Sequence, residues 1–186
     1  LIWLKEQQNI KQQNTKQMTY FELFDIPVSL LPDEKLVKQK FYELSRKYHP
    51  DFFTNASEEE KNVVLEKSSQ INKAFKIFQN KDETIKYVLT QKGVLEEEEK
   101  YNLPHDFLME MLELNEALSD AKMENDAEKI KNIQLSIDNY QSSIYEPVKE
   151  IVEHYTEDIS SEKGLLQVKE YYFKKKYLRR ILEGLA

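Results

Sequence analysis

Three histidines and many carboxylates are the groups in this 186-residue chain that could move protons or hold a metal, and no cysteine joins them. His49 precedes Pro50 and Asp51, His105 precedes Asp106, and His154 lies four residues from both Glu150 and Asp158. None has the His-Glu-x-x-His spacing that turns two imidazoles toward one metal. The Glu150–His154–Asp158 steps are those of a surface ion-pair row, and Asp106 points elsewhere on the helical wheel from His105. A phosphate cradle needs a glycine-rich loop, whereas the three glycines are scattered at 93, 164 and 184. No Ser/His/Asp or paired-acid constellation stands out. Without cysteine the chain has no disulfide, no thiolate zinc site and no thiolate ligand for an iron–sulfur cluster. The sequence therefore predicts no catalytic residue, no metal site and no cofactor, and it reads as a protein that is not an enzyme.

The chemistry that remains is recognition. In His49-Pro50-Asp51 the proline ring fixes its own φ and restricts His49, which stiffens a polar loop. Asp51 is left as a carboxylate able to meet an arginine of a partner. The preceding segment carries Lys35, Lys38, Lys40, Arg46 and Lys47 against Asp33, Glu34 and Glu43. Such a positive surface attracts an acidic patch and speeds encounter. The plainer alternative is an ordinary turn in which Asp51 caps a local N–H.

A second set of residues is apolar. At helical spacing Phe107, Met111, Leu114 and Leu118 share one face, a sufficient core stripe. Leu108, Met109 and Leu112 fall on roughly the opposite side, flanked by Glu113 and Glu116. Either that second stripe meets a partner, or the helix is sandwiched on both sides. The last segment repeats the pattern: Val168, Tyr171, Tyr172, Leu178, Leu182 and Leu185 share a broad face, while Leu166, Phe173 and Tyr177 point away. If these two helices are neighbours, Leu108, Met109, Leu112 and Phe173 form one exposed patch.

Helices must position both sets. Tyr20–Phe24 is a short aromatic turn closed by Pro27. A helix follows over about 33–48, with Val37, Phe41, Leu44 and Tyr48 on one face; His49-Pro50-Asp51 ends it. Ser57 and Glu60 form a capping box for a long helix that turns Val64, Ile71, Phe75 and Phe78 inward. A shorter helix spans about 83–91 and stops before Gly93. Residues 18–92 thus make a hairpin of two antiparallel helices with a small helix at each end. The run Glu96–Glu99 reads as a linker or a solvated helix end, within an acidic linker over 93–103. Residues 104–186 read as a three-helix bundle: 104–123, a second pattern from Ile130 to Tyr155 interrupted by Pro147, and a third helix over 161–185. The fold class is all-α. Residues 1–17, rich in Gln, Asn and Lys, read as an N-terminal extension outside the fold, with Met18 as a natural start.

Charge separates the two parts. Residues 1–92 carry 15 Lys/Arg against 13 Asp/Glu, and residues 93–186 carry 12 against 21, for an overall −7. So acidic a chain is a poor nucleic-acid ligand, since nothing would neutralise a run of phosphates. No apolar run approaches the roughly 20 residues that span a bilayer, so no membrane partner is expected. The asymmetry suggests two parts with different partners.

Three motifs carry a resemblance. Tyr20-Phe21-x-Leu23-Phe24, Tyr48-His49-Pro50-Asp51 and Ile71-Asn72-Lys73-Ala74-Phe75 resemble the J-domain pattern, which covers residues 18–92. The resemblance implies that His49, Pro50 and Asp51, supported by Lys40 and Arg46, contact a seventy-kilodalton heat-shock chaperone and stimulate its ATP hydrolysis. Two positions depart from common forms: Phe52 stands where a Lys often follows the tripeptide, and Thr84 where an Arg often opens the last short helix. The segment Phe107–Leu114 with Glu116 is similar to the scaffold-binding helix of the HscB family, the J-proteins of iron–sulfur cluster assembly. That resemblance implies an IscU-type scaffold bound by Leu108, Met109, Leu112, Glu113, Glu116 and Phe173, and an HscA/DnaK-type chaperone bound by the N-terminal part. Animal and plant members can carry a Cys-rich zinc segment; its absence here points to the bacterial, cytoplasmic form. The rival expectations are a general J-protein serving another client, and a structural helical protein with an accidental tripeptide.

Overall fold

In the computed structural model, residues 18–157 and 161–183 are described. The expected extension 1–17 and the end of the helix expected over 161–185 lie outside them.

Most of the helices begin where a side chain satisfies free backbone N–H groups. Thr19 and Glu22 form a capping box at α1 (Tyr20–Phe24): the Glu22 N–H donates to Thr19 Oγ1 at 3.2 Å, and the Thr19 N–H to the Glu22 carboxylate at 2.7 Å. Asp25, at φ 51°, turns the chain out of that helix. Asp33 accepts the Leu36 N–H at 2.7 Å to start α2 (Glu34–Lys47). A 3-10 turn, Pro50–Phe53, follows. The expected Ser57/Glu60 box opens α3 (Glu58–Phe78): Glu60 N–H donates to Ser57 Oγ at 3.3 Å and Ser57 N–H to Glu60 at 2.9 Å. Asn80 caps α4 (Lys81–Gln91), and Gly93 takes the left-handed φ of 69° just beyond its end, where a side chain would be strained. Pro104 precedes α5 (His105–Met123), and Asp126 caps α6 (Ala127–Tyr145). Pro147 has no N–H to continue the ladder, so the chain tightens into a 3-10 turn, Glu146–Val148, and restarts as α7 (Lys149–Glu153). The last helix is α8 (Glu162–Glu183). Among the described residues there is no strand.

The chain divides into two compact units. Among the described residues, the first comprises 18–27 and 33–76, and the second 28–32, 77–157 and 161–183. In the first, Phe21, Phe24, Val37, Val64, Ile71 and Ala74 are buried. Phe41 of α2 stacks on Phe75 of α3 with ring centroids 3.9 Å apart, which closes the hairpin. In the second, Phe107, Met111, Leu118, Ile137, Leu178 and Ile181 form one core shared by α5, α6 and α8. Each such burial stabilises by roughly 1.5–3 kcal/mol relative to exposure.

Helix α4, grouped by the sequence reading with the hairpin, falls in the second unit. The reason is visible in side chains: Lys175 of α8 pairs with Asp82 at 2.5 Å, and Lys92 pairs with Glu157. Thr84, fully buried, donates its hydroxyl to the Ile77 carbonyl at 2.9 Å. Residues 94–101 pack against α8 too. Lys169 donates to the Val94 carbonyl at 2.8 Å and pairs with Glu99 at 2.5 Å, and Leu95 is buried. The acidic run is thus a strap fixed to a helix.

Candidate functional site

Two surfaces hold the residues singled out from the sequence, one in each unit. At the tip of the α2–α3 hairpin, His49 stands in the N-cap position of the 3-10 turn, and its Nδ1 accepts the Asp51 N–H at 3.3 Å. An accepting Nδ1 leaves the imidazole proton on Nε2. The Asp51 carboxylate is 3.6 Å from the same nitrogen, too far for a hydrogen bond. The local cap is therefore made by His49, and the Asp51 side chain is 82% exposed. Pro50 is partly buried beneath it. The tripeptide is a stiff turn that holds one carboxylate out to solvent.

The two supporting cations differ. Arg46 is exposed and lines an open hollow with Tyr42, His49, Asp51 and Phe52. Lys40 is committed: its Nζ donates to Asp25 at 2.8 Å, joining α2 to the end of α1. That hydrogen bond holds the Asp25 carboxyl below its usual range and lifts the Lys40 ammonium above its own.

On the second unit, α5 presents Met109 and Leu112 to solvent, at 45% and 47% exposure, with Glu113 and Glu116 exposed beside them. Leu108 differs from them, because it is half-buried and packs on the core cluster. Neighbouring contacts set the register of α5 against α8. The Phe107 ring meets Tyr177 edge-on at 5.9 Å, and Lys174 lies over it at 5.7 Å. Further along, Met111, Leu112 and Asn115 line one hollow with Tyr177, Arg180 and Ile181. The two helices therefore run in the same direction, and Phe173 lies one turn before Tyr177, as Leu108 lies one turn before Leu112.

Two expectations need correction. Phe173 and Tyr177 do not simply point outward. Tyr177 is packed on the core beside Phe107, and Phe173 is half-buried, stacked on Tyr101 at 4.6 Å with the rings nearly parallel. Tyr101 belongs to the strap, and no periodicity in the sequence marks it. Burial, then Glu170 and Glu99, push its hydroxyl pKa up. On the other flank of α5, burial and the Glu110 carboxylate push the Tyr140 hydroxyl up to about 12. Of the second stripe, then, Met109 and Leu112 are free, Leu108 is shared with the core, and Phe173 shows part of a ring braced from behind.

Among the described residues, no group of three His, Asp or Glu side chains is placed to hold a metal, and no helix is long and apolar enough to cross a membrane.

Comparison with known proteins gives these surfaces a context. Residues 103–186 match the family profile described as the HSCB C-terminal oligomerisation domain. A co-chaperone protein HscB of Buchnera aphidicola subsp. Acyrthosiphon pisum is 42% identical over 109 residues, covering 58% of this chain and 63% of that one. The chain thus spans less than two thirds of that relative. A co-chaperone protein HscB homolog of Shewanella halifaxensis is 34% identical over 137 residues, 73% of this chain and 79% of its own. The crystal structure of human co-chaperone protein HscB superposes with a TM-score of 0.73 at 26% identity, covering 91% of this chain and 81% of that one. The chaperone HscB from Vibrio cholerae shares the fold at a TM-score of 0.62 and 24% identity, over 91% of this chain and 100% of its own. The all-α architecture expected from the sequence, a J-domain hairpin and a helical C-terminal bundle, is the one these structures share.

Proposed function

Because this chain belongs to the HscB co-chaperone family, we propose that it brings an IscU-type iron–sulfur scaffold to an HscA/DnaK-type chaperone and stimulates the chaperone's ATPase. The observation that carries the reading is the pairing, in one chain, of an exposed Asp51 at a stiff hairpin tip with exposed Met109 and Leu112 on α5.

Asp51 offers a carboxylate that costs little to dock, because the turn is already held by Pro50 and the His49 cap. Arg46 and the other cations of α2 steer the tip toward an acidic surface. Met109 and Leu112, with Leu108 beneath them and part of Phe173, give an apolar centre, and Glu113 and Glu116 give a charged rim. That is the anatomy of a protein–protein contact. Joining both surfaces in one chain makes the second binding event intramolecular, which raises the scaffold's effective concentration at the chaperone. The ATP chemistry belongs to the chaperone. This chain's own residues bind and orient, so it is not an enzyme, and it works in the bacterial cytoplasm without a cofactor.

The test is steady-state ATP turnover by the purified chaperone. The chain alone should raise the rate, and chain plus scaffold should raise it by more than the product of the separate effects. If the scaffold adds nothing while ATPase stimulation remains, the chain is a J-protein for another client.

A further inference from the structure

The half-buried Phe173 ring is gripped by two other rings. It stacks on Tyr101 of the strap at 4.6 Å, with the planes 3° apart. Tyr172 meets it steeply, at 74° and 5.4 Å between centroids. The strap that carries Tyr101 is itself fixed on either side of that residue. Leu95 is buried, and Leu103, two residues past Tyr101, packs on the core cluster of α5, α6 and α8. Between them Lys169 makes a latch. Its side chain is only 12% exposed, and its ammonium donates to the Val94 carbonyl at 2.8 Å and pairs with Glu99 at 2.5 Å. The same ammonium lies 5.8 Å from the centre of the Tyr101 ring. Lys169 and Phe173 are four residues apart, so latch and braced ring share one face of α8.

A phenylalanine on the outer side of a helix ordinarily exchanges between two rotamers. A partner that immobilises it must meet the ordering cost, on the order of a 2- to 10-fold loss of affinity. A ring already stacked within the folded chain spares the partner that cost. A lid over Phe173 would be free at one end, whereas this segment is anchored before and after Tyr101. The arrangement is therefore a brace. It uses the flat face of Tyr101, which a phenylalanine at that position also offers and a leucine does not.

We infer that Tyr101 is a positioning residue, which holds the Phe173 ring in the orientation that the scaffold meets, with Lys169 and Glu99 as its latch. Tyr101 acts through Phe173 and need not touch the scaffold. The inference deepens the scaffold-binding reading above and rests on it.

The experiment is calorimetric titration of the full chain with purified IscU-type scaffold, using wild type, Tyr101→Phe, Tyr101→Leu, Phe173→Ala and the Tyr101→Leu/Phe173→Ala double variant. Wild type and Tyr101→Phe should bind alike. Tyr101→Leu should weaken binding roughly 2- to 10-fold, and aromatic carbon relaxation should show a more mobile Phe173 ring in the free chain. Added to Phe173→Ala, the leucine should change nothing further, because no ring remains to be positioned. The same loss from Tyr101→Leu in both backgrounds would mark a general disturbance of the bundle and overturn the inference. A leucine variant that binds as wild type does, or more tightly as the removal of a cover would allow, would overturn it too and leave the scaffold reading standing. A wild-type chain with no affinity for the scaffold would sink that reading, and the positioning role with it.

Discussion

Asp51 and His49 divide their labour at the hairpin tip, and the division can be measured. Asp51→Asn keeps the shape and removes the charge that a partner arginine would meet. It should lower chaperone affinity by roughly 2–5 kcal/mol, the usual consequence of unpairing a docked charge, while the melting temperature stays put. His49→Gln removes the ring that caps the Asp51 N–H at 3.3 Å. It should lower ATPase stimulation because the carboxylate is no longer held in place. On α5 the neighbours behave differently from one another. Met109→Ala and Leu112→Ala remove exposed side chains, so scaffold affinity should fall by about 1–2 kcal/mol each, with stability changed by less than about 0.5 kcal/mol. Leu108→Ala should cost both, because Leu108 packs on the core cluster; its stability loss should lie below the roughly 2–5 kcal/mol of a fully buried leucine. Calorimetry of scaffold binding beside thermal unfolding separates the two effects. The sequence pattern put Leu108 on the outer stripe with its two neighbours. Its angle on the helix is intermediate, and only the placement of α8 decides how far it is covered.

Helix boundaries were readable because they are local chemistry. The Ser57/Glu60 box, the interruption at Pro147 and the stop at Gly93 each depend on residues within a few positions. Ser57→Ala should destabilise the start of α3 by about 1 kcal/mol, seen as faster amide exchange in its first turn. Hydrogen bonds from Ser57 hold the Glu60 carboxyl below its usual range. A carboxylate with a depressed folded pKa stabilises above its unfolded value and loses that contribution as pH falls through the folded one. The same sign applies to Glu99, lowered mainly by the Lys169 hydrogen bond. As pH drops below the ordinary carboxylate range, the strap 94–101 should loosen from α8. The Tyr101 ring resonances should then move as the stack on Phe173 opens, and Glu99→Gln should remove that acid transition. None of this strap was legible in the sequence. Glu99 and Lys169, or Tyr101 and Phe173, lie some 70 residues apart in the chain, and pairing at that distance leaves no periodic trace.

In the chain as a whole, the all-helical class and the two-part organisation followed from periodicity, capping residues and charge asymmetry. The grouping of α4 with α8 did not, because it is written in the Asp82–Lys175 pair across 93 residues. Burial is the strongest single influence and opposes the Lys175 charge, but the hydrogen bonds and charges of Asp82 and Tyr171 together outweigh it and the ammonium pKa is raised. A raised lysine stabilises below its unfolded pKa and loses that contribution only as pH climbs through the folded one. The α4–α8 junction should therefore persist at neutral pH and weaken in strong alkali. Lys175→Met and Asp82→Asn should each destabilise, and together by less than their sum, with a coupling of about 0.5–3 kcal/mol.

The central claim is that the hairpin tip and the α5 surface act because they share one covalent chain. Two half-defective proteins test it directly: one carrying Asp51→Asn, the other carrying Met109→Ala with Leu112→Ala. Each keeps the surface the other lacks. Chaperone ATP turnover is then measured with scaffold and an equimolar mixture of the two. Tethering predicts that the mixture lacks the synergy of the wild-type chain, because the retained surfaces sit on separate molecules. Full synergy from the mixture would contradict it, since the two surfaces would then work equally well apart.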